Sequence, residues 1–181
     1  MTSLIGSRPA ATIDEVAAIA GVSRSTVSRV VNGSTAVSPE ALASVQQAIA
    51  DLGYVPNRAA RSLATKQTNA IALVVPEDTA MFFGDPFFAS IVSGINARMS
   101  QSESVLNLFI ASDDPGDKTT KYLLGGNVDG AIIVSHHTSH TYIDRIADAV
   151  PVVFGGRPVR ERATDFYVDV DNRDGGRVAT E

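Results

Sequence analysis

Arg24, Ser25, Thr26, Ser28 and Arg29 put five hydrogen-bonding side chains into six consecutive positions. Val27, Val30 and Val31 recur among them at helical spacing, so a short helix here turns the valines inward and the polar set outward. Side chains of these types on one helix face can reach base edges and phosphates in a DNA major groove. An ordinary helical hairpin with a polar outer face has the same apolar spacing. The segment just before it favours the DNA reading: Thr12, Glu15, Ala17, Gly21 and Val22 all fall at the offsets of a helix-turn-helix.

Other groupings of chemical interest are weaker. His136, His137 and His140 form H-H-x-x-H after an apolar run, and three imidazoles in five residues could hold a metal. The motif contains no carboxylate, and a polar loop is the expected reading, with no metal. Residues 169–175, D-V-D-N-R-D-G, begin like a calcium loop, but Arg173 stands at the fifth ligand position and Thr180 at the twelfth, so no calcium site is expected. G-x-S-x-G, G-x-x-x-x-G-K-[ST] and G-x-G-x-x-G are all absent, which removes the core residues of hydrolase, nucleotidase and dehydrogenase readings. The expectation is a protein that is not an enzyme and uses no cofactor.

The elements that must carry the polar set are legible around it. Thr12 and Glu15 make a T-x-x-E capping box, and Ile13, Val16, Ala17 and Ala20 give the first helix an apolar face. Gly21 ends that helix, Val22 is an apolar plug, and Ser23 caps the second. A third helix starts at Ser38-Pro39-Glu40, buries Leu42, Val45, Ile49 and Leu52, and stops at Gly53. Asn57 then caps a short segment carrying Arg58, Arg61 and Leu63, read either as a hinge helix or as a plain linker. From residue 69 the pattern alternates. Strands are expected near 70–75, 105–111, 129–134, 151–154 and 166–170, with helices near 87–100, 118–124 and 142–149. That alternation predicts an open parallel α/β sheet with a cleft at the carboxyl ends of its strands, rimmed by residues 76–86, 112–116, 135–140 and 155–159. The expected division is a disordered tail at 1–11, a helix-turn-helix head at 12–54, a hinge at 55–68 and a first core subdomain at 69–181.

Charge supports two roles. The 181 residues carry a net charge of −5. Residues 1–66 hold six basic groups against four acidic ones, a balance of +2, and the remainder holds nine against sixteen, a balance of −7. A mildly basic head on an acidic body suits local phosphate contact, and so weak a charge predicts that two copies act together as a dimer. The absence of cysteine fits a reducing, cytoplasmic setting. No signal peptide and no apolar run near the ~18 residues of a membrane span is visible, so no membrane partner is expected.

These segments resemble the LacI/GalR family of bacterial repressors. The likeness runs from residue 12 to the end of the chain and is most specific in A-G-V-S-R-S-T-V-S-R-V-V-N (20–32), V-S-P-E (37–40) and G-Y-V-P-N-R-A-A-R-S-L (53–63). It implies a homodimeric, nucleoid-associated repressor of transcription. Such a protein grips a near-palindromic double-stranded DNA operator, under control of a sugar- or nucleobase-like effector bound in a periplasmic-binding-protein-like core. Arg24, Ser25 and Arg29 match the family's base-reading positions, where each arginine can grip guanine O6 and N7. Ser23, Thr26, Ser28 and Asn32, with Asn57, Arg58 and Arg61, match phosphate-contacting or supporting roles. Ala60 and Leu63 match the hinge helix, with Leu63 the wedge that enters a central minor-groove step. Phe87, Phe88 and Arg157 resemble effector-cleft positions, although the two phenylalanines could equally pack a helix against the sheet and Arg157 could be a solvated loop residue. The family's core has two halves, and this chain stops at about half the usual length, in G-G-R-V-A-T-E (175–181). An effector would then meet one wall of its cleft, and apolar surface and a sheet edge would stay exposed. Two other readings remain: a small-molecule binding module whose helical head serves only for interaction, and a non-functional fragment.

Overall fold

Thr12 opens the first helix as the capping box requires. In the computed structural model, which describes residues 11–56, 62, 65–158, 160, 162 and 164–181, Glu15 N donates to Thr12 Oγ1 at 3.3 Å and Thr12 N donates to Glu15 Oε2 at 2.7 Å. Helix α1 (Ile13–Ala20) ends at Gly21, whose φ of 66° is the left-handed conformation that closes the turn. Ser23 then caps α2 (Arg24–Val31), accepting from Thr26 N, and Ser38 caps α3 (Pro39–Leu52) by accepting from Ala41 N. At 8 residues each, α1 and α2 would be marginal alone, so packing must hold them. Val16, Val27 and Val45 are wholly buried with Ala17 and Ala48 at the junction of the three helices. Each such valine contributes ~1.5–3 kcal/mol of burial.

One expectation for α3 is corrected. Leu42 is 39% exposed, and Ala48 takes its place in the buried stripe. At about 100° per residue, Ala41 and Ala48 lie on one side of Val45 and Leu42 about 60° round on the other, at the rim of the face. The tail at 1–11 lies outside the described residues except for Ala11, and so does the hinge segment with Asn57, Arg58, Ala60, Arg61 and Leu63.

The chain divides into two units, Met1–Lys66 and Gln67–Glu181. The second is a five-stranded sheet in the order β2-β1-β3-β4-β5, parallel at every pairing. Its strands are β1 (Ala70–Val75), β2 (Val105–Ile110), β3 (Gly130–Val134), β4 (Val152–Gly155) and β5 (Phe166–Val168). Helices α4 (Thr79–Gly84) and α5 (Pro86–Met99) link β1 to β2. Helix α6 (Lys118–Tyr122) precedes β3, α7 (Thr141–Ala149) precedes β4, and α8 (Asn172–Thr180) follows β5.

Alternation along β1 divides the core. Ala70, Ala72 and Val74 join Tyr142, Ile143 and Ile146 of α7 on one face, while Leu73 and Val75 join Phe82 and Phe88 on the other. Apolar residues on both faces of the central strands are what a parallel sheet between two helical layers requires. On the second face the cover ends early: Val153, Phe166 and Val168 of β4 and β5 are 39%, 71% and 72% exposed. Asp129 pins the entry to β1. Its carboxylate accepts from Thr68 N at 2.7 Å, Thr68 Oγ1 at 2.9 Å and Asn69 N at 2.8 Å. Partial burial works against its charge, but these hydrogen bonds more than offset that and hold the carboxyl below its ordinary range.

Helix α4 falls in a stretch, 76–86, expected to be loop. Asp78 Oδ1 accepts from Met81 N at 2.7 Å and nucleates it, and burial of Phe82 retains it.

Candidate nucleic-acid interface

The turn between α1 and α2 is tied by Val22 N donating to Ala17 O at 3.1 Å. Ala17 is small and buried at this crossing, so α2 can lie close against α1 with its outer face open. Arg24, Ser25 and Arg29 are exposed on that face, whereas Thr26 and Ser28 are half-buried along its edge. The serine and threonine hydroxyls form a local network. Ser23 Oγ lies 2.8 Å from Ser25 Oγ and 2.9 Å from Thr26 Oγ1, and Asn32 Nδ2 donates to Ser28 Oγ at 3.3 Å. Ser23, Thr26, Ser28 and Asn32 therefore already shape both ends of α2. Asp14, which motif spacing did not single out, lies 3.8 Å from Arg24 Nε.

In the second unit, polar side chains gather at the carboxyl edge of the sheet. Glu77, just after β1, accepts from Ser135 Oγ at 2.5 Å and faces His137 Nε2 at 3.1 Å, both just after β3. The three histidines do not converge. The His136 ring packs on Phe154 with centroids 4.9 Å apart, His137 turns to Glu77, and His140 Nδ1 accepts from His137 N at 3.1 Å. Burial, then the neighbouring His137 and His140, push the His136 imidazole below its ordinary 6.5. No group of three or more His, Cys, Asp and Glu side chains among the described residues is placed to hold a metal ion. Asp171, in the segment weighed as a calcium loop, instead caps α8 by accepting from Asp174 N at 2.9 Å.

The expected effector residues separate. Phe88 is a core residue, 3% exposed and 5.3 Å from the Phe82 ring, so it has no face left for a ligand. Phe87 is 53% exposed at the start of α5. Arg157 is exposed beyond β4, where its Nη2 donates to Tyr167 Oη at 3.2 Å and its guanidinium sits 5.7 Å from that ring's centre. Strand β3 lies between β1, whose connection carries Phe87, and β4. Glu77 and Ser135 went unnoticed in the sequence because only the pairing of β1 with β3 brings their loops together.

A model of the family described as "Bacterial regulatory proteins, lacI family" matches residues 12–57, the three helices and the turn just described. The chain is 45% identical over 176 residues to the HTH-type transcriptional regulator CelR of Thermobifida fusca, covering 94% of this chain and 51% of that one. It belongs to the lacI family. The HTH-type transcriptional regulator MalR of Streptococcus pneumoniae is 32% identical over 173 residues, 94% of this chain and 52% of the other. Among solved structures, the lac repressor dimer bound to operator and the anti-inducer ONPF superposes with a TM-score of 0.72 at 30% identity, over 94% of this chain and 51% of that one. The complex of CelR with cellobiose gives 0.56 at 40% identity, over 94% and 50%. The chain thus spans about half the length of the lacI-family relatives it matches, and those relatives are regulators by name.

Proposed function

We propose that this lacI-family chain is a sequence-specific DNA-binding regulator of transcription, a repressor that grips a near-palindromic operator as a homodimer. The observation that carries the reading is the exposed face of α2, where Arg24, Ser25 and Arg29 stand clear of a helix packed on α1 and α3. Arg24 and Arg29 read guanines, Ser25 tolerates several bases, and Ser23, Thr26, Ser28, Asn32, Asn57, Arg58 and Arg61 fix register on phosphates and within the helix ends. Leu63 wedges a central step in the minor groove. The protein carries out no enzymatic step and works in the cytoplasm, on the nucleoid. Control comes from a sugar-like effector at the carboxyl edge of the sheet, with Phe87 and Arg157 among its contacts. Cellobiose is the first compound to try, given the CelR complex.

Selection of bound duplexes from a random DNA pool tests the reading. The expected product is a two-fold symmetric site, and Leu63→Ala should weaken binding to it while leaving unrelated DNA nearly unaffected. Equal losses on both DNAs would remove the wedge role. Failure of the wild-type chain to enrich any sequence would leave a small-molecule binding module as the better reading, to be probed by calorimetry with cellobiose.

A further inference from the structure

Arg24 occupies the first position of α2, at the positive end of the helix dipole, and α2 has no acidic residue in its first turn. A guanidinium is electrostatically disfavoured there unless a carboxylate is close. Asp14 of α1 supplies it, with Oδ1 3.8 Å from Arg24 Nε. The capping of α1 does not need Asp14, because Thr12 and Glu15 form the capping box between them. Nor does the pair do much for stability, because the two side chains are 70% and 67% exposed and an exposed ion pair is weak.

The consequence lies in which nitrogen is engaged. A guanidinium carries five N–H donors in a fixed plane, and Asp14 faces the Nε side. Arg24 makes no other ion pair among the described residues, so the end-on edge of its guanidinium, the two terminal nitrogens, is open to a base. This end-on fork matches guanine O6 and N7. Asp14 also repels phosphate, which would otherwise compete for Arg24 at a helix N-terminus.

We infer that Asp14 is a positioning residue for base recognition: its charge draws Arg24 from the Nε side so that the terminal nitrogens are left to address one guanine in each half-site. The inference rests on the DNA-reading function proposed above and deepens it.

The test is site selection with the full chain and with its Arg24→Ala, Asp14→Ala, Asp14→Asn and Asp14→Ala/Arg24→Ala variants. Affinity is then measured on the selected site and on single-base-pair changes of it. Arg24→Ala should lose discrimination at one base pair of each half-site by about 5- to 150-fold. Both Asp14 variants should lose about 2- to 10-fold at that same base pair, and the double variant should discriminate no worse than Arg24→Ala alone. Affinity for unrelated DNA should hold or rise when Asp14 is neutralised, since a negative charge beside phosphate has gone. A purely structural lesion would lower both affinities together, and Asp14→Asn, nearly isosteric with the native residue, guards against misfolding. Unchanged discrimination in both Asp14 variants overturns the inference. Loss at a different base pair, independent of Arg24, also overturns it, because Asp14 would then touch a base itself. If the wild-type chain selects no sequence, the DNA reading falls and takes this inference with it.

Discussion

Arg29 lies exposed in the last turn of α2, at the opposite end of the helix dipole from Arg24, where a positive charge is favoured by ~0.3–1 kcal/mol. Arg29 therefore needs no carboxylate partner to sit where it does, and its energy on DNA is its own. Arg29→Ala should cost about 1–3 kcal/mol on the selected operator and relax preference at one base pair, as read by competition against point-changed duplexes. A uniform loss across all sequences would place Arg29 on a phosphate instead. Both arginines were legible in the sequence, because helical periodicity alone separates them from Val27, Val30 and Val31. Asp14 was not, since its contact with Arg24 depends on how α1 crosses α2. Phe88 went the other way. It and Phe87 are adjacent and chemically identical, and only packing against Phe82 decides that one is core and the other exposed.

The short helices of the head depend on their ends. With 8 residues, α1 has few internal hydrogen bonds, so the two contributed by Thr12 and Glu15 are a large share of its local stability. Thr12→Ala should lower the stability of the head by about 1 kcal/mol, measured as a shift in its thermal unfolding by circular dichroism. An unshifted transition would mean that water satisfies the freed N–H groups as well as threonine does. Caps of this kind explain why α1, α2 and α3 could be read with accurate starts, since Thr12, Ser23 and Ser38 announce themselves. Asp78 announces α4 in the same way, but the helix it starts is only six residues long, with too few turns for a period to show. Gly155 gives a different lesson. A Cβ there would meet Val134 Cγ1 at 2.6 Å, a close approach that only the β3–β4 pairing reveals.

Across the chain, the two units answer to different conditions, and acidity should expose this. His136 carries ring nitrogens that are buried without a hydrogen-bond partner among the described residues, and burial with nearby His137 and His140 lowers its pKa. A folded-state pKa below the unfolded value of 6.5 means that the stability His136 contributes is fully present above pH 6.5 and is lost as pH falls toward the folded value. His140 shifts in the same direction, chiefly through burial. The melting temperature of the sheet unit should therefore drop as pH falls below 6.5, and His136→Phe, which keeps a ring against Phe154, should flatten that slope. A variant with the wild-type slope would place the titration elsewhere. A second drop belongs below pH 3.8, where Asp129 and Asp114 take up protons: burial works against each charge, but hydrogen bonds from Thr68 and Asn69 to Asp129, and from Thr120 and Thr119 to Asp114, hold both carboxyls low. The head contains no histidine and should show no loss near pH 6.5. The sequence by itself determined the helix-turn-helix, the identity of its outward residues and the alternation that makes a parallel sheet, because caps, glycine turns and apolar periods are local signals carried by neighbouring residues. Tertiary structure alone decided that Asp14 attends Arg24, that Phe88 is core, and that Glu77 meets Ser135 and His137 within the edge their loops share. Each of these depends on how separate elements pack against one another, and no local period encodes that.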